Sequence, residues 1–301
     1  MNILLNIAYH TNFGEELVLN VMNDKTKATT PFRMKTVDGK MWTCSLELDL
    51  QMGTHIDYYY SVVRGANNMV NCEWMVEPHR LEINAIKGKN FVVYDRWINM
   101  PEDSYLYSSA FTDCIKRRKI SLAPLSDHIA TVRLKVRAPQ LRGNECLMLV
   151  GKGHKLGDWD VKRGVTMYEH NYNEWVADLD ASLLVDNRLE FKFVAVNVAD
   201  KDQVIWEDHD NRWVSLPDMS ENGVVVYELE TALFPIHNIR CAGTLVPVFS
   251  LRSKDSFGVG DFGDLKKMID WVASTGQRVL QVLPINDTTI THTWTDSYPY
   301  S

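Results

Sequence analysis

An internal repeat constrains the fold of this chain more than any other feature of its sequence. The offset between the two copies is 133 residues in the middle of the repeat and 132 near its end. The corresponding positions are Trp42 and Trp175, residues 56–63 and 189–196, Trp74 and Trp206, and Arg80 and Arg212. Two copies at this period indicate two domains in tandem rather than a solenoid of many short repeats.

Both copies carry the residue pattern of β-strands. Residues 130–137 alternate between apolar and basic side chains, and residues 41–48, 175–179 and 189–194 alternate in the same way. Short alternating runs separated by Asn, Asp and Gly are typical of an antiparallel β-sandwich of about 100 residues. The sequence therefore predicts two immunoglobulin-like β-sandwiches.

The repeat also predicts the domain boundaries. We expect one sandwich over residues 1–98 and a second over residues 128–235. Residues 99–127 are polar and include the basic run 116–119, which we interpret as part of a solvated linker. Residues 236–301 follow as a third segment of different character.

This third segment has the pattern of parallel α/β structure. Residues 244–251 and 279–284 are nearly continuous apolar runs, as expected for buried parallel strands. Residues 261–275 between them place apolar side chains at helical spacing, with Asp261 as N-cap and Gly276 as the residue after the helix. The segment is therefore predicted to form one βαβ unit.

Composition narrows the function. The net charge is −7 and the charged fraction is 24%, which argues against nucleic acid and anionic membrane surfaces as partners. Nine tryptophans provide flat faces for cores and for stacking on neutral ligands. Five scattered cysteines give neither a zinc motif nor a disulfide framework, and the N-terminus lacks the pattern of a signal peptide. We expect a cytoplasmic protein.

Three motifs of the second copy, in order, resemble the starch-binding domain of carbohydrate-binding module family 20. They are Gly-Lys-Gly-His-Lys-Leu-Gly-Asp-Trp-Asp (151–160), Leu-Glu-Phe-Lys-Phe (189–193) and Val-Ile-Trp-Glu-Asp-His-Asp-Asn-Arg (204–212). The resemblance implies a glucan site built from two tryptophans and a lysine with polar neighbours. The implied residues are Trp159, Lys192 and Trp206, with Glu207 and Asn211 beside them.

Local context separates surface tryptophans from core tryptophans. Trp159 lies in a polar Gly-Asp-Trp-Asp turn and Trp206 precedes an acidic segment, so both are expected to be exposed, although a core position for them is the alternative. Trp42 and Trp175 lie within alternating strands and are expected in the two cores. Exposed indoles can stack on the C–H face of a glucose ring, with about 1–2 kcal/mol per ring from the buried area.

The first copy is predicted to have a degenerate site. Trp74 is retained as a candidate glucan contact, but the aligned sequence replaces the lysine, the glutamate and the asparagine by Tyr59, Met75 and His79. In the family a second glucan surface often exists. Phe13 in the first copy and Tyr172 in the second are candidates for it, and a structural role is the alternative for both.

The third segment resembles the opening of glycoside hydrolase family 77, the amylomaltase-type 4-α-glucanotransferases. The resemblance rests on residues 243–265, on Gln-Val-Leu-Pro-Ile-Asn (281–286) and on Asp-Ser-Tyr-Pro-Tyr-Ser (296–301). It implies the first βαβ unit of a (β/α)8 barrel and a retaining mechanism with an Asp nucleophile and a Glu acid/base. Those carboxylates are expected beyond Ser301, so no catalytic residue is assigned within the chain. The resemblance also implies that no metal or organic cofactor is needed. Tyr300 is the implied contact in the active cleft, and Arg252 and Ser253 are weaker candidates.

These observations predict the region of a 4-α-glucanotransferase that binds α-1,4-glucans and maltooligosaccharides. A non-catalytic starch-binding protein with a relic barrel segment is the main alternative. A phosphatase or kinase that carries the same binding module is a third possibility, which the dense match to the barrel opening disfavours. The sequence leaves the oligomeric state open.

Overall fold

The computed structural model describes residues 1–23, 26, 28–48, 54–65, 68–83, 90–116, 128–183, 188–217, 223–236 and 242–285. These residues form two compact units, Met1–Ile236 and His237–Ser301. We describe the units one at a time.

The first module of the larger unit is a two-layered β-sandwich. Its strands are β1 (Asn2–Ala8), β2 (Glu15–Met22), β3 (Thr29–Arg33), β4 (Lys35–Thr36), β5 (Met41–Glu47), β6 (Thr54–Arg64), β7 (Asn68–Cys72), β8 (His79–Ile83) and β9 (Asn90–Arg96). One layer has the order β3-β2-β6-β7, with β8 also paired to β6. The other contains β9-β1-β5-β4, and apolar side chains from both layers form one core between them.

The second module repeats this arrangement. Its strands are β10 (Thr131–Arg137), β11 (Glu145–Gly151), β12 (Val165–Thr166), β13 (Tyr168–Asn171), β14 (Glu174–Asp180), β15 (Arg188–Asn197), β16 (Val204–Trp206), β17 (Arg212–Ser215) and β18 (Gly223–Glu228). One layer has the order β12-β11-β15-β16, with β17 also paired to β15, and the other contains β13-β14-β10-β18. Trp42 and Trp175 are buried in the two cores, as their strand context predicts.

The two modules share one continuous sheet. Strand β18 of the second module pairs in parallel with β9 of the first, from Gly223 opposite Asn90 to Tyr227 opposite Tyr94. The result is an eight-stranded sheet of order β13-β14-β10-β18-β9-β1-β5-β4. The sequence predicts two sandwiches separated by a linker, whereas the structure joins them edge to edge and thereby removes two exposed sheet edges.

The basic face of β10 lies in this junction. Arg133, Lys135 and Arg137 are buried, although they alternate with the apolar residues that face the second core. Their side chains donate to backbone carbonyls of the first module. The bonds are Arg133 Nη1 to Glu82 O (3.0 Å), Lys135 Nζ to Arg80 O (2.6 Å) and Arg137 Nη2 to Glu77 O (3.1 Å). The alternation of basic and apolar residues in β10 therefore belongs to a strand that is buried on both faces, not to one with a buried face and a solvated face.

The segment between the modules is partly ordered. Short helical turns cover Ser104–Tyr107 and Ala110–Lys116, and Leu106 in the first turn is buried. Only Lys116 of the predicted basic run lies within the described residues. The first half of the predicted linker is thus a packed connection.

The strand registers correct the sequence alignment of the two modules. Phe193 N donates to Glu207 Oε1 (2.8 Å), and Glu207 N donates to Phe193 O (3.1 Å). Tyr60 exchanges the same two bonds with Glu73, at 2.7 and 3.1 Å. Glu73 is therefore the counterpart of Glu207. The first module retains this glutamate, and the prediction that Met75 replaces it is wrong.

The same registers show that Trp74 is not the counterpart of Trp206. Ser61 pairs with Cys72 between β6 and β7, just as Val194 pairs with Trp206 between β15 and β16. The position of the second tryptophan is therefore held by Cys72 in the first module. The predicted equivalence is wrong by two residues. Six residues connect β7 to β8, whereas five connect β16 to β17.

A further shift affects the cation next to the buried glutamate. Tyr58 pairs with His79, and Phe191 pairs with Arg212. His79 is therefore the counterpart of Arg212, rather than of Asn211 as predicted. Arg80, which the alignment matched to Arg212, lies one position further along. Each module thus pairs its buried glutamate with a cation from the next strand.

The smaller unit contains the predicted strand, helix and strand. They are β19 (Gly243–Val246), α1 (Phe262–Ser274) and β20 (Val279–Val282), with β19 and β20 parallel and in register from Gly243 opposite Val279. Strand β19 ends earlier than predicted, and a helical turn at Val248–Ser250 follows it.

The helix begins and ends where the sequence predicts. Asp261 accepts from the backbone of Gly263 and Asp264, and the Asp264 side chain accepts from Asp261 N, which completes a capping box. Gly276 follows the helix with φ +76°, a conformation that favours glycine.

Candidate functional site

The outer face of the second module presents the predicted lysine and one predicted tryptophan together. Alternate residues of a strand share a face, so Lys192 and Val194 of β15 lie on the side opposite the core residues Phe191 and Phe193. Trp206 is directly opposite Val194 on the neighbouring strand and is 36% exposed. Directly opposed residues lie on the same face, so Trp206 borders the lysine.

A loop between β11 and β12 carries the second predicted tryptophan over this face. It contains short helical turns at His154–Leu156 and Val161–Arg163, and Val161 packs on the outer-face valines Val150 and Val194. Trp159 is half-buried, and its backbone N–H donates to Gly151 O at the end of β11 (3.0 Å). The loop that contains Trp159 therefore packs against the outer face through Val161.

The backbone of this loop is held in an uncommon conformation. Gly157, Asp158 and Trp159 have φ values of +83°, +50° and +65°. Positive φ is unfavourable for a bulky residue such as tryptophan and persists where the surrounding structure enforces it, often at functional sites. A Cβ on Gly157 would lie 2.8 Å from Asp160 O, so the turn is too tight for another residue there.

Two polar residues, Glu190 and Asn211, and a further indole, Trp213, extend the face. Asn211 Nδ2 donates to Glu190 Oε1 (2.8 Å), and Glu190 shares its face with Lys192. Trp213, opposite Glu190 on β17, is also exposed, and the Arg188 guanidinium lies 3.9 Å from its ring centroid. Glu190 and Trp213 are absent from the predicted site. The alternation of β17 could have indicated Trp213, whose flanking residues Arg212 and Val214 face the interior.

Glu207 does not belong to this exposed surface. It is 2% exposed and forms an ion pair with Arg212, with 2.7 Å between Glu207 Oε2 and Arg212 Nη2. Its other oxygen accepts from the backbone N–H of Phe193. A buried carboxylate with these partners stabilises the end of β16 and cannot contact a ligand on the outer face.

The first module lacks this arrangement among its described residues. Tyr59 occupies the position of Lys192 and is buried. Trp74 is half-buried, with the Tyr107 ring packed edge-on against it at 5.3 Å between centroids. Phe13, by contrast, is fully exposed in the turn before β2.

Residues of the smaller unit give little further information on a site. Tyr300 lies outside the described residues. Ser253 Oγ accepts from Lys267 Nζ (2.9 Å), and Lys267 also contacts Asp255. These contacts form a local surface network beside α1.

A second polar cluster lies at the junction of the modules and is centred on His79. His79 is fully buried, with 2.7 Å between its Nδ1 and Glu228 Oε2 and 3.0 Å between its Nε2 and Glu73 Oε2. Asp95 Oδ1 lies 3.8 Å from Nδ1. Burial disfavours the charged imidazole, but Glu228, Glu73 and Asp95 together raise the pKa of His79 well above its ordinary value.

The carboxylates of this cluster respond in opposite directions. Burial raises the pKa of Glu228, but His79 and Lys135 outweigh it and hold that pKa well below its usual range. Burial raises the pKa of Asp95 to about 6, against the opposing effect of His79. His79, Asp95 and Glu228 converge within 4.8 Å, as metal ligands can. A protonated His79 that bonds carboxylates through both nitrogens has no lone pair for a metal, so we interpret the group as an ion cluster that connects the modules.

Glu77 at the same junction provides a test of this electrostatic environment. Burial and Glu174 raise its pKa to about 7, against the effect of Arg137. In the folded protein Glu77 therefore keeps a proton that the unfolded chain releases near pH 4.5. The free energy of unfolding falls as the pH rises from 4.5 to about 7. The His79 contribution has the same sign, because its raised pKa gives stability that is lost as pH rises. We expect Glu77→Gln to increase the free energy of unfolding at pH 8 by on the order of 2 kcal/mol and to change it little at pH 4.

Urea unfolding of both proteins across this pH range measures the difference. Exposed Glu230→Gln is the control and should leave the pH profile unchanged. A Glu77→Gln profile parallel to that of the parent protein would contradict the raised pKa.

Comparison with known proteins identifies the class of each part. Residues 129–226 match the starch binding domain family, and residues 246–301 match the family of 4-alpha-glucanotransferases, glycoside hydrolase family 77. The match to the starch binding domain family thus covers the second module.

The relatives agree with these matches. The chain is 26% identical over 259 residues to the 4-alpha-glucanotransferase DPE2 of Oryza sativa subsp. japonica, which covers 83% of this chain and 27% of the rice protein. It is 56% identical over 46 residues to the 4-alpha-glucanotransferase of Chlamydia trachomatis, 15% of this chain and 9% of that protein. The chain is therefore similar to the starch binding domain family in one segment and to the 4-alpha-glucanotransferase family in another, and it spans about a quarter of the length of the rice relative.

One solved structure matches a third of the chain. The family 20 module of the maltotetraose-forming amylase from Pseudomonas saccharophila is 20% identical, with a TM-score of 0.27 and coverage of 33% of this chain and 99% of that chain. Within the described ranges, no helix combines the length and hydrophobicity needed to cross a bilayer.

Proposed function

We propose that this chain is the α-1,4-glucan-binding region of a 4-α-glucanotransferase that transfers glucan segments or glucosyl units with retention. The main contact surface is the outer face of the second module, with Trp159, Lys192, Trp206 and Asn211 as its glucan-contacting residues. The observation that carries this proposal is the exposed Trp206 on the same sheet face as Lys192, with Trp159 in a left-handed loop that packs on that face through Val161.

The chemistry of this face suits a neutral, hydroxyl-rich ligand. Two indoles can each cover the C–H face of a glucose ring, which gives about 1–2 kcal/mol per ring. Lys192 donates hydrogen bonds only, and the Asn211 amide can donate and accept, so together they can orient hydroxyl groups. Maltooligosaccharides and soluble glucans are the proposed ligands.

The smaller unit is proposed as the opening βαβ unit of a (β/α)8 catalytic barrel, on the basis of its parallel strands and its family match. No residue of this chain is assigned as the nucleophile or the acid/base. Tyr300 remains a proposed active-cleft contact, and a cytoplasmic location remains part of the proposal.

Salt dependence tests the proposed function. We expect calorimetric binding of β-cyclodextrin to change less than about twofold between low and high salt, because stacking and neutral hydrogen bonds are weakly screened. Polyglutamate, a polyanion, is the control ligand and should not bind. Affinity that falls steeply with salt would contradict the proposal and indicate an anionic ligand.

A further inference from the structure

A cavity of about 170 Å³ lies between the two modules of the larger unit, away from the outer face that carries Trp206. Residues of β9 and the connection after it line one side, and residues of β10 and the end of β18 line the other. The lining side chains with sugar-binding chemistry are Trp97, Asn99, Tyr107, Arg137, Glu228 and Thr231.

Buried charged groups at this cavity have unused hydrogen-bonding capacity. The Glu228 side chain is 5% exposed, and its Oε2 contacts His79 at 2.7 Å. The nearest cation to its Oε1 among the described residues is Arg137 Nη2, at 3.9 Å, which is beyond hydrogen-bond distance. Glu228 lines the cavity, so its Oε1 is an acceptor that a ligand hydroxyl can use.

Arg137 complements this acceptor with donors. Its Nη2 donates to Glu77 O (3.1 Å), while its Nε and Nη1 make no hydrogen bond to the described residues. The guanidinium has five N–H donors in a fixed plane. Arg137 and Glu228 therefore present a donor and an acceptor to the same small cavity.

Aromatic side chains give the cavity fixed apolar surfaces. Trp97 packs against Tyr9 with 4.1 Å between ring centroids and a tilt of 34° between the ring planes, and its Nε1 donates to Asn99 Oδ1 (3.0 Å). Tyr107 is held edge-on against Trp74. The second arginine at the rim, Arg96, is paired with Glu230 at 3.3 Å, so the cavity has no strong excess of positive charge.

We propose that this cavity is a second carbohydrate site, which binds one glucose residue, free or at the end of a maltooligosaccharide. The balanced charges favour a neutral ligand, and the paired donor and acceptor match adjacent hydroxyl groups. By the volume of liquid water the cavity has room for about five or six water molecules, which suits one small ring and excludes a macrocycle. The choice of glucose rests on the proposed function of the chain.

The test uses indole ¹⁵N–¹H resonances of the full 301-residue chain, with Trp97→Phe and Trp206→Ala to assign two of them. We expect the Trp97 resonance to shift during titration with glucose or maltose and to remain unchanged with β-cyclodextrin. The Trp206 resonance should respond to β-cyclodextrin. If maltose shifts Trp97 and glucose does not, the site binds chain ends; if both do, it also binds the free sugar.

A cavity-filling variant provides the control. Thr231→Phe should weaken the affinity for maltose, measured from the shift of the Trp97 resonance, at least tenfold. An unchanged Trp206 response to β-cyclodextrin would show that the fold is intact. An unshifted Trp97 with a responsive Trp206 would overturn this proposal and leave the proposed function in place. The absence of any response at Trp206 would instead refute the proposed function. An unaltered Trp97 response in Thr231→Phe would also overturn the cavity site.

Discussion

Replacing Glu228 by alanine should lower the free energy of unfolding of the larger unit by about 3–5 kcal/mol. Glu228 lies 2.7 Å from His79 Nδ1 and about 4 Å from the cations of Lys135 and Arg137. Its removal leaves the buried imidazolium of His79 and the buried cations of Lys135 and Arg137 with less negative charge nearby. Urea unfolding at pH 7, followed by tryptophan fluorescence and by circular dichroism, measures this loss.

Glu230→Ala is the matched control for this prediction. Glu230 lies two residues further along, its side chain is 70% exposed, and it pairs with Arg96 at 3.3 Å. An exposed pair of this kind contributes about 0–1 kcal/mol. Similar small losses in both variants would show that the junction cluster contributes nothing specific. Because β9 and β18 join the two modules in one sheet, we expect a single unfolding transition of the larger unit, and two separate transitions in the parent protein would contradict this expectation.

The second large effect concerns glucan binding. Trp206→Ala should weaken β-cyclodextrin binding by about 5- to 30-fold, the equivalent of about 1–2 kcal/mol from one stacked ring. Trp206 is exposed beside Lys192 on the outer face, so its truncation removes contact surface without opening a core. Isothermal titration calorimetry on the folded variant gives the affinity directly.

Trp74→Ala is the control suggested by the corrected registers. Trp74 is two residues beyond the position of Trp206, and Tyr107 packs against it. We expect less than a twofold loss of affinity from this variant. Equal losses in the two variants would mean that the first module carries a glucan site of its own.

Local patterns alone predicted most of the elements. The alternation around Trp42 and Trp175 predicted strands with buried tryptophans, because side chains of a strand face opposite sides in turn. Asp261, the apolar stripe and Gly276 predicted α1 nearly to the residue, because caps and periodicity act within a few residues. For the site, the sequence predicted exposed Trp206, but the family resemblance supplied its grouping with Trp159 and Lys192.

The local patterns did not predict which residues of the two copies correspond in space. Sequence similarity paired Trp74 with Trp206, whereas the hydrogen bonds of Glu73 and Glu207 set a different register. Matching two tryptophans is a natural way to align the copies, but a shift of one residue moves a strand side chain to the opposite face of the sheet. A loop of different length can accommodate such a shift without a trace in the sequence similarity. Only the paired strands determine which residue occupies which place.

The sequence by itself determined the number of modules, most of their strands and the helix of the smaller unit, because each depends on residues close together in the chain. The tertiary structure decided that Glu207 is buried, that the basic face of β10 is covered, and that β9 and β18 join the modules in one sheet. Apart from the local Glu207–Arg212 pair, these outcomes depend on residues more than 50 positions away in the chain, such as Glu82 for Arg133 and Glu228 for His79. Whether a charged residue is solvated or paired inside a protein depends on which surface packs against it, and that information lies in the fold rather than in the local pattern.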